Sequence, residues 1–201
     1  SEAVKHKVHL ETSSAFDIDL ILNLYREGKI TKQQYVGNNG YKTDEYLRKI
    51  VALREMGFSN ILVVLDSKTE LKRLSELSGE SRLQIGLRMA INEEPQSSYY
   101  TSRLGIRHNE MEAFFDENIK DNPNVELKML HFFVDSGIKD SLYYWGEFQR
   151  AMGLYVRLSK QCPSLDSFNL GGGFPIRNNL GFEYDYDYII NEIVKTIAKT
   201  C

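Results

Sequence analysis

The chain has 201 residues, of which 42% are hydrophobic and 26% are charged, and this composition is typical of a protein with one sizeable folded core. Its formal net charge of -3 argues against nucleic acid as a partner, because nucleic-acid-binding domains present a basic surface. The apolar runs are far too short to cross a membrane, and residues 1–10 lack the apolar core of a signal peptide.

Apolar segments and helical patterns alternate along the chain. The apolar segments predict six strands, over residues 7–11, 34–38, 60–66, 82–90, 125–135 and 167–170. A helical pattern follows each strand, and these patterns predict helices over residues 14–28, 43–57, 67–79, 109–118, 139–161 and 185–199. A polar loop through Pro95 and Tyr100 separates the fourth strand from its helix.

Three of the predicted helices begin with residues that can cap a helix N-terminus. Ser14 with Asp17, and Ser67 with Glu70, have the spacing of a capping box, in which each side chain accepts a hydrogen bond from the other residue's backbone N–H. Thr43 stands in the same position before the second helix. These caps support the predicted starts of the three helices.

Alternation of strands and helices implies a parallel sheet, either open and doubly wound or closed as a (β/α) barrel. The strand faces favour the barrel. In the fourth strand the apolar residues Leu83, Ile85, Leu87 and Met89 oppose Gln84, Gly86 and Arg88. One apolar and one mixed face suits a strand whose outer side is covered by helices while its inner side lines a ligand site.

A complete barrel of this type has eight strands and usually ~250 residues, whereas six βα units are counted here. We therefore expect an α/β fold with about six of the eight units of a TIM-type barrel, forming a single domain over residues 1–201. We also expect the chain to be a piece of a longer protein. With two cysteines, Cys162 and Cys201, no metal site or disulfide framework can be read, and a cytoplasmic location is expected.

Three consecutive glycines, Gly171 to Gly173, follow the last predicted strand. Glycine costs backbone entropy on folding, so three in a row indicate either a tight turn or a ligand that must approach the backbone closely. Backbone N–H groups at such a turn commonly bind phosphate. The glycines are thus candidates for a phosphate site.

Four stretches together resemble a known family. They are "HLETSSAFDIDLI" (9–21), "NNGYKTDEYL" (38–47), "LHFFVDSGI" (130–138) and "LGGGFPI" (170–176). In this order and spacing they resemble the pyridoxal-phosphate-dependent decarboxylases of basic amino acids, which have the alanine racemase barrel. Arginine decarboxylases are the most similar subgroup, followed by ornithine and diaminopimelate decarboxylases.

The resemblance implies pyridoxal 5'-phosphate as cofactor and a small amino acid as substrate. For the longer protein it implies decarboxylation of arginine to agmatine and CO₂ in polyamine biosynthesis, by a homodimer. It assigns the cofactor phosphate to Gly171, Gly172, Gly173 and Ser136, and His131 to the cofactor site. It assigns Phe133, Arg88 and Glu11 to catalysis. An ion pair between Arg88 and an inward carboxylate such as Glu11 is the structural alternative for those two residues.

Phe133 departs from the family pattern, which is roughly "LHFHLGS", with a histidine at this position that stacks on the cofactor ring. Asp135 also stands where a glycine is usual. A phenylalanine can stack on a flat ring but cannot carry a proton. The residue at this position therefore either preserves stacking and activity or marks a site with reduced catalytic power.

Two further expectations follow from the resemblance. Residues 101–106, "TSRLGI", resemble the family's "SKFGL", which follows a mobile loop. The family's lysine that bonds the cofactor lies upstream of the first motif, so no lysine here can be assigned that role, and we expect the 201-residue chain alone to be inactive. Alternatives are a non-enzymatic pyridoxal-phosphate-binding barrel and an open dinucleotide-binding sheet. The sheet is disfavoured because the fingerprint G-x-G-x-x-G is absent.

Overall fold

A computed structural model describes residues 8–79, 81–91, 104–177 and 181–200. The described residues form seven strands: β1 (Leu10–Thr12), β2 (Val36–Asn38), β3 (Ile61–Leu65), β4 (Leu83–Ala90), β5 (Ile106–Arg107), β6 (Val125–Phe132) and β7 (Ser167–Asn169). They also form six helices: α1 (Ala15–Arg26), α2 (Asp44–Glu55), α3 (Lys68–Ser78), α4 (His108–Asn118), α5 (Leu142–Ser159) and α6 (Tyr186–Thr200).

All strand pairs are parallel, and the strands follow the order β1-β2-β3-β4-β6-β7. Each of these six strands is followed by a helix before the next one begins, so the sheet is built from the six predicted βα units. The sheet curls into part of a TIM-type barrel, which confirms the predicted fold. The two-residue strand β5, which pairs in parallel with Met89 and Ala90 at the C-terminal end of β4, was not predicted.

Some predicted strand limits were wrong by a few residues. The first strand occupies Leu10–Thr12, and its residues pair with Val36–Asn38. The strand predicted over residues 125–135 ends at Phe132, because Phe132 is the last residue that pairs with β4. Residues 133–135 therefore leave the sheet and begin the loop that follows β6.

The predicted helix caps are confirmed at two helices and wrong at the third. Ser14 accepts a hydrogen bond from Asp17 N at 3.3 Å, and Thr43 accepts one from Tyr46 N at 3.2 Å. The reciprocal bond of the Ser14 capping box is displaced by one residue, because the Asp17 carboxylate accepts from Ser13 N at 2.8 Å. Ser67 lies at the N-cap of α3 but makes no capping hydrogen bond with its side chain. Glu70 is fully buried and turns towards the end of β3 instead of back to Ser67.

The two faces of the sheet differ as the sequence predicts. The outward side chains of β4 lie in the main core under the helices, and they are Leu83, Ile85, Leu87 and Met89. Full burial of each such side chain contributes about 1.5–3 kcal/mol. The register shifts at Ile85/Gly86, so that Met129 of β6 faces inwards and packs with Leu62 and Val64. These three side chains thus form an apolar patch on the inner face.

No helix within the described ranges is both long and apolar enough to span a membrane.

Candidate functional site

The concave face of the curled sheet lines a cavity of about 760 Å³, whose wall extends from Tyr35, Asn60 and Asp166, just before the starts of β2, β3 and β7, to Asn169 and Gly171. Other polar residues of the inner face, among them Arg88 and Asp66, lie at the carboxyl ends of the strands. In a parallel α/β sheet this end is where ligands bind, because loops and helix N-termini meet there.

The glycine turn directly follows β7. Gly171 has a φ of 73°, and its N–H donates to Asn169 Oδ1 at 2.8 Å. A Cβ on Gly171 would lie 2.9 Å from both Phe132 O and Phe133 Cδ2, so a larger residue would displace the Phe133 ring. Gly172 differs, because a Cβ there would meet nothing within 4 Å. Its backbone therefore borders open space.

The loop after β6 contacts this turn. Ile138 N donates to Gly173 O at 3.1 Å, and a Cβ on Gly173 would lie 2.7 Å from Gly137 Cα. Gly137 and Gly173 both have positive φ, of 83° and 96°. Within the described part of the chain, the N–H groups of Gly172 and Gly173 and the hydroxyl of Ser136 make no hydrogen bond. The contact thus brings unpaired donors together at an open surface.

Arg88, Phe133 and Asp66 form a second group beside the turn. The Arg88 guanidinium carbon lies 5.6 Å from the centre of the Phe133 ring. Arg88 Nη1 lies 3.4 Å from Asp66 Oδ1. The structural alternative of an Arg88–Glu11 pair was wrong in its partner, because Asp66, at the end of β3, supplies the carboxylate.

Glu11 is held by two amides. Its Oε2 accepts from Asn39 Nδ2 at 2.9 Å, and its Oε1 accepts from Asn169 Nδ2 at 2.7 Å. Neither Asn39 nor Asn169 was predicted as a site residue, and neither was Asp66. All three could have been found from one signal, since each is a polar residue at or just after the end of a strand.

His131 is buried on the inner face, next to Arg88 in the strand register. Burial and, to a lesser degree, the Arg88 cation lower the pKa of His131 to about 4, and hydrogen bonding to Asn169 opposes them. The imidazole is therefore neutral near pH 7. Its Nδ1 is buried, and none of the residues that the structure describes forms a hydrogen bond with it.

The segment 101–106 lies partly outside the described residues, because residues 101–103 are not among them. Of the remainder, Gly105 N donates to Asp66 O at 2.8 Å. Gly105 has a φ of 105°, and a Cβ there would lie 2.7 Å from Ala90 N. The end of this segment is thus packed against the carboxyl end of β4, next to Asp66.

Residues 6–201 match the family described as pyridoxal-dependent decarboxylase, pyridoxal binding domain. The chain belongs to this family. The match covers nearly the whole sequence and confirms the family and the cofactor predicted from the four motifs.

Several decarboxylases are similar to this chain in sequence or in fold. A biosynthetic arginine decarboxylase from Prochlorococcus marinus (strain AS9601) is 25% identical over 177 residues, which are 81% of this chain and 27% of that protein. The crystal structure of lysine decarboxylase from Selenomonas ruminantium matches 98% of this chain and 49% of that one, with a TM-score of 0.76 and 16% identity. The biosynthetic arginine decarboxylase from Campylobacter jejuni matches 98% of this chain and 33% of that one, with a TM-score of 0.68 and 22% identity.

The chain thus spans about a quarter of the length of the curated arginine decarboxylases that it matches. At these identities, the structural matches establish the fold.

The glycine turn of this pyridoxal binding domain fits a phosphate group. The N–H groups of Gly172 and Gly173 are unpaired within the described residues, and the position that a Cβ would occupy on Gly172 is open. Exposed, unpaired N–H donors in a glycine turn are the arrangement that binds phosphate oxygens. The Phe133 side chain, which lies against Gly171, is next to this turn.

Proposed function

We propose that this chain is the cofactor-binding barrel domain of a decarboxylase that acts on a basic amino acid, with arginine as the preferred substrate. The observation that carries the proposal is the contact between the loops after β6 and β7, where Gly137 meets Gly173 beside unpaired backbone donors. The products would be agmatine and CO₂. The named relatives support arginine, because curated proteins similar to this chain include biosynthetic arginine decarboxylases.

We assign the phosphate of pyridoxal 5'-phosphate to the N–H groups of Gly172 and Gly173 and to the hydroxyl of Ser136. Phe133 would stack on the pyridine ring, since an aromatic ring offers the flat face that stacking requires. When bound, the cofactor supplies the electron sink for loss of CO₂ from an amino acid. The protein's contribution is to hold the phosphate, orient the ring and shield the site from water.

The groups around Phe133 limit the chemical roles that this part of the site can have. Arg88 provides a fixed cation beside the ring, and the neutral His131 lies next to Arg88 in the strand register. Phe133 itself has no proton to give or accept. We therefore propose that Phe133 acts only by stacking, and that proton transfer belongs to other groups of the complete enzyme.

We propose that the 201 residues form one partial barrel domain of a longer, homodimeric, cytoplasmic enzyme of polyamine biosynthesis. The chain alone is expected to release no CO₂. Two lysine amines of the inner face are already engaged: Lys42 is fully buried with Glu70, and Lys128 pairs with Asp166 at 2.5 Å.

The test uses the gene extended in both directions. The longer protein, purified with pyridoxal phosphate, is assayed for CO₂ release from arginine, ornithine, lysine and diaminopimelate, with the 201-residue chain as a parallel sample. Release from arginine above the other three supports the proposal, and release from another amino acid corrects the substrate. Release by the 201-residue chain would contradict its expected inactivity.

Cofactor binding without CO₂ release from any substrate would identify a non-enzymatic pyridoxal-phosphate-binding protein. In that event Phe133→His is the informative variant, because it restores the histidine that the family pattern has at this position. Activity gained by Phe133→His would show that activity was lost because phenylalanine, which cannot carry a proton, replaces the family histidine. No cofactor binding by the longer protein would overturn the proposal.

A further inference from the structure

A charged lysine is completely buried beneath the candidate site. Lys42 follows β2, and its side chain has 0% exposure. Its amine donates to Gly40 O at 2.7 Å, to Val64 O at 2.5 Å and to Glu70 Oε2 at 3.3 Å. All three of its protons therefore have acceptors, and none points into the cavity.

Glu70 joins this lysine to the end of β3. Its Oε1 accepts from Lys42 N at 3.3 Å, and its Oε2 accepts from Asp66 N at 2.9 Å. The Lys42 amine also lies 3.8 Å from Asp66 Oδ2. Glu70 thus holds the backbone of Asp66, and the Lys42 amine attracts the Asp66 carboxylate across 3.8 Å without a hydrogen bond, while Asp66 Oδ1 faces Arg88.

The four side chains form a closed set of charges. Lys42 and Arg88 are the cations and Asp66 and Glu70 the anions, so the set is neutral. The exposed fractions are 0% for Lys42, 1% for Asp66 and Glu70, and 14% for Arg88. Arg88, which borders the candidate site, is the member with the most exposure.

Stability alone does not account for this set. Buried ion pairs cost desolvation free energy, and apolar residues of similar volume often stabilise a protein as well or better. Burial lowers the pKa of Lys42, whereas Glu70 and Asp66 raise it, so the charge of the lysine depends on its two partners. What the set does provide is a defined position for one guanidinium beside the Phe133 ring.

We propose that Lys42 and Glu70 are positioning residues: they fix the Asp66 carboxylate, and Asp66 in turn holds the Arg88 guanidinium over the Phe133 ring. This inference rests on the proposed function, because the proposed function is what places Arg88 and Phe133 in the cofactor site. Lys42 and Glu70 themselves touch no reacting group. Sequence reasoning missed them because Glu70 has the spacing of a capping box with Ser67.

The first test is a mutant cycle read by the affinity of the chain for pyridoxal phosphate. The double variant Lys42→Met/Glu70→Gln removes one charge of each sign and leaves the Asp66–Arg88 pair balanced. We expect it to weaken binding ~10-fold, as does Arg88→Met, and we expect all three changes together to weaken binding ~10-fold as well. A combined loss of ~100-fold would show that the residues act independently and would overturn the proposal.

Lys49→Met is the matched control, since Lys49 also forms ion pairs, with Asp19 and Glu45, but is 31% exposed on the outer surface. We expect no change in affinity from this variant. A loss equal to that of the buried pair would mean that any lost lysine pair weakens the site, against the proposal.

The second test needs no cofactor. In the free chain, the side-chain NMR signals of Arg88, assigned with Arg88→Met, should carry a ring-current shift from Phe133. The shift should be lost in Lys42→Met/Glu70→Gln and kept in Lys49→Met. If the double variant does not fold, Glu70→Gln alone changes a single group and should reduce the shift.

Retention of the full shift in a folded variant would overturn the positioning role. If the wild-type chain shows the shift but neither it nor any variant binds pyridoxal phosphate, the proposed function fails. The NMR comparison then still decides whether Lys42 and Glu70 position Arg88.

Discussion

Glu11 Oε1 accepts a hydrogen bond from Asn169 Nδ2 at 2.7 Å, although the two residues are 158 positions apart and lie on β1 and β7. These are the two outermost strands in the order of the curled sheet. The side chains therefore join its two edges across the concave face. The same carboxylate is also bound by Asn39, so that three strand ends meet at one acidic group.

The Glu11–Asn169 contact should stabilise the curled sheet. Glu11→Ala is expected to lower the free energy of unfolding by about 1 kcal/mol, a value at the low end for hydrogen bonds to charged groups because the carboxylate is exposed to water. Glu11→Gln should cost less, since its carbonyl oxygen can still accept from one asparagine. Urea unfolding measures both, and Asn169→Ala combined with Glu11→Ala should cost little more than either alone. Additive losses would show that the contact does not contribute.

The glycine contact between the two loops should not tolerate a side chain. Gly137→Ala is expected to lower the free energy of unfolding by about 2–4 kcal/mol, because the residue has positive φ and its Cβ would overlap Gly173 O. Gly28→Ala is the control, since Gly28 has a similar φ of 67° but nothing within 4 Å of the added atom. It should cost only about 1 kcal/mol. Equal losses in the two variants would mean that backbone strain, not the loop contact, sets the cost.

How far the sequence predicts this fold depends on the range of the interactions involved. The alternation of strands and helices, the caps at Ser14 and Thr43 and the two faces of β4 are local patterns, and the structure confirms them. The predicted start of β1 and the predicted end of β6 were less accurate, because a strand extends only as far as its neighbours pair with it.

The candidate site was predictable only in part, for the same reason. The glycines and Phe133 could be proposed from the sequence because they lie in contiguous motifs. The partners of Arg88 and Glu11 were not, because Asp66 lies 22 residues before Arg88 and Asn169 lies 158 residues after Glu11. Capping-box spacing also suggested the wrong role for Glu70, which tertiary contacts draw into the buried charges.

Gly172 allows the phosphate site to be tested separately from folding. Gly172→Ala should change the free energy of unfolding by less than about 0.5 kcal/mol, because the added Cβ meets no atom within 4 Å. It should nevertheless weaken binding of pyridoxal phosphate, since the methyl group would occupy the space in front of the N–H donors. Equilibrium dialysis gives the affinity and urea unfolding the stability. Unchanged affinity in a stable Gly172→Ala protein would remove this turn from the cofactor site.

The buried His131 should make the stability of the chain depend on pH. In the unfolded chain its pKa is about 6.5, whereas in the folded chain it is about 4, so the unfolded state binds the proton first as the pH falls. The contribution of His131 to the free energy of unfolding is therefore fully present above pH 6.5 and is lost progressively as the pH falls from about 6.5 to about 4. The expected loss is about 3 kcal/mol, from a difference of roughly 2.5 pKa units at 1.36 kcal/mol each.

His131→Gln separates this effect from the other titrating groups, because glutamine has no ionisable proton in this range. Between pH 7 and pH 4, the free energy of unfolding of the wild-type chain should fall by about 3 kcal/mol more than that of His131→Gln. Urea unfolding at a series of pH values provides the comparison, and NMR titration of the imidazole gives the pKa directly. Parallel pH profiles for the two proteins, or a His131 pKa near 6.5 in the folded chain, would show that the imidazole is accessible to water rather than enclosed beside Arg88.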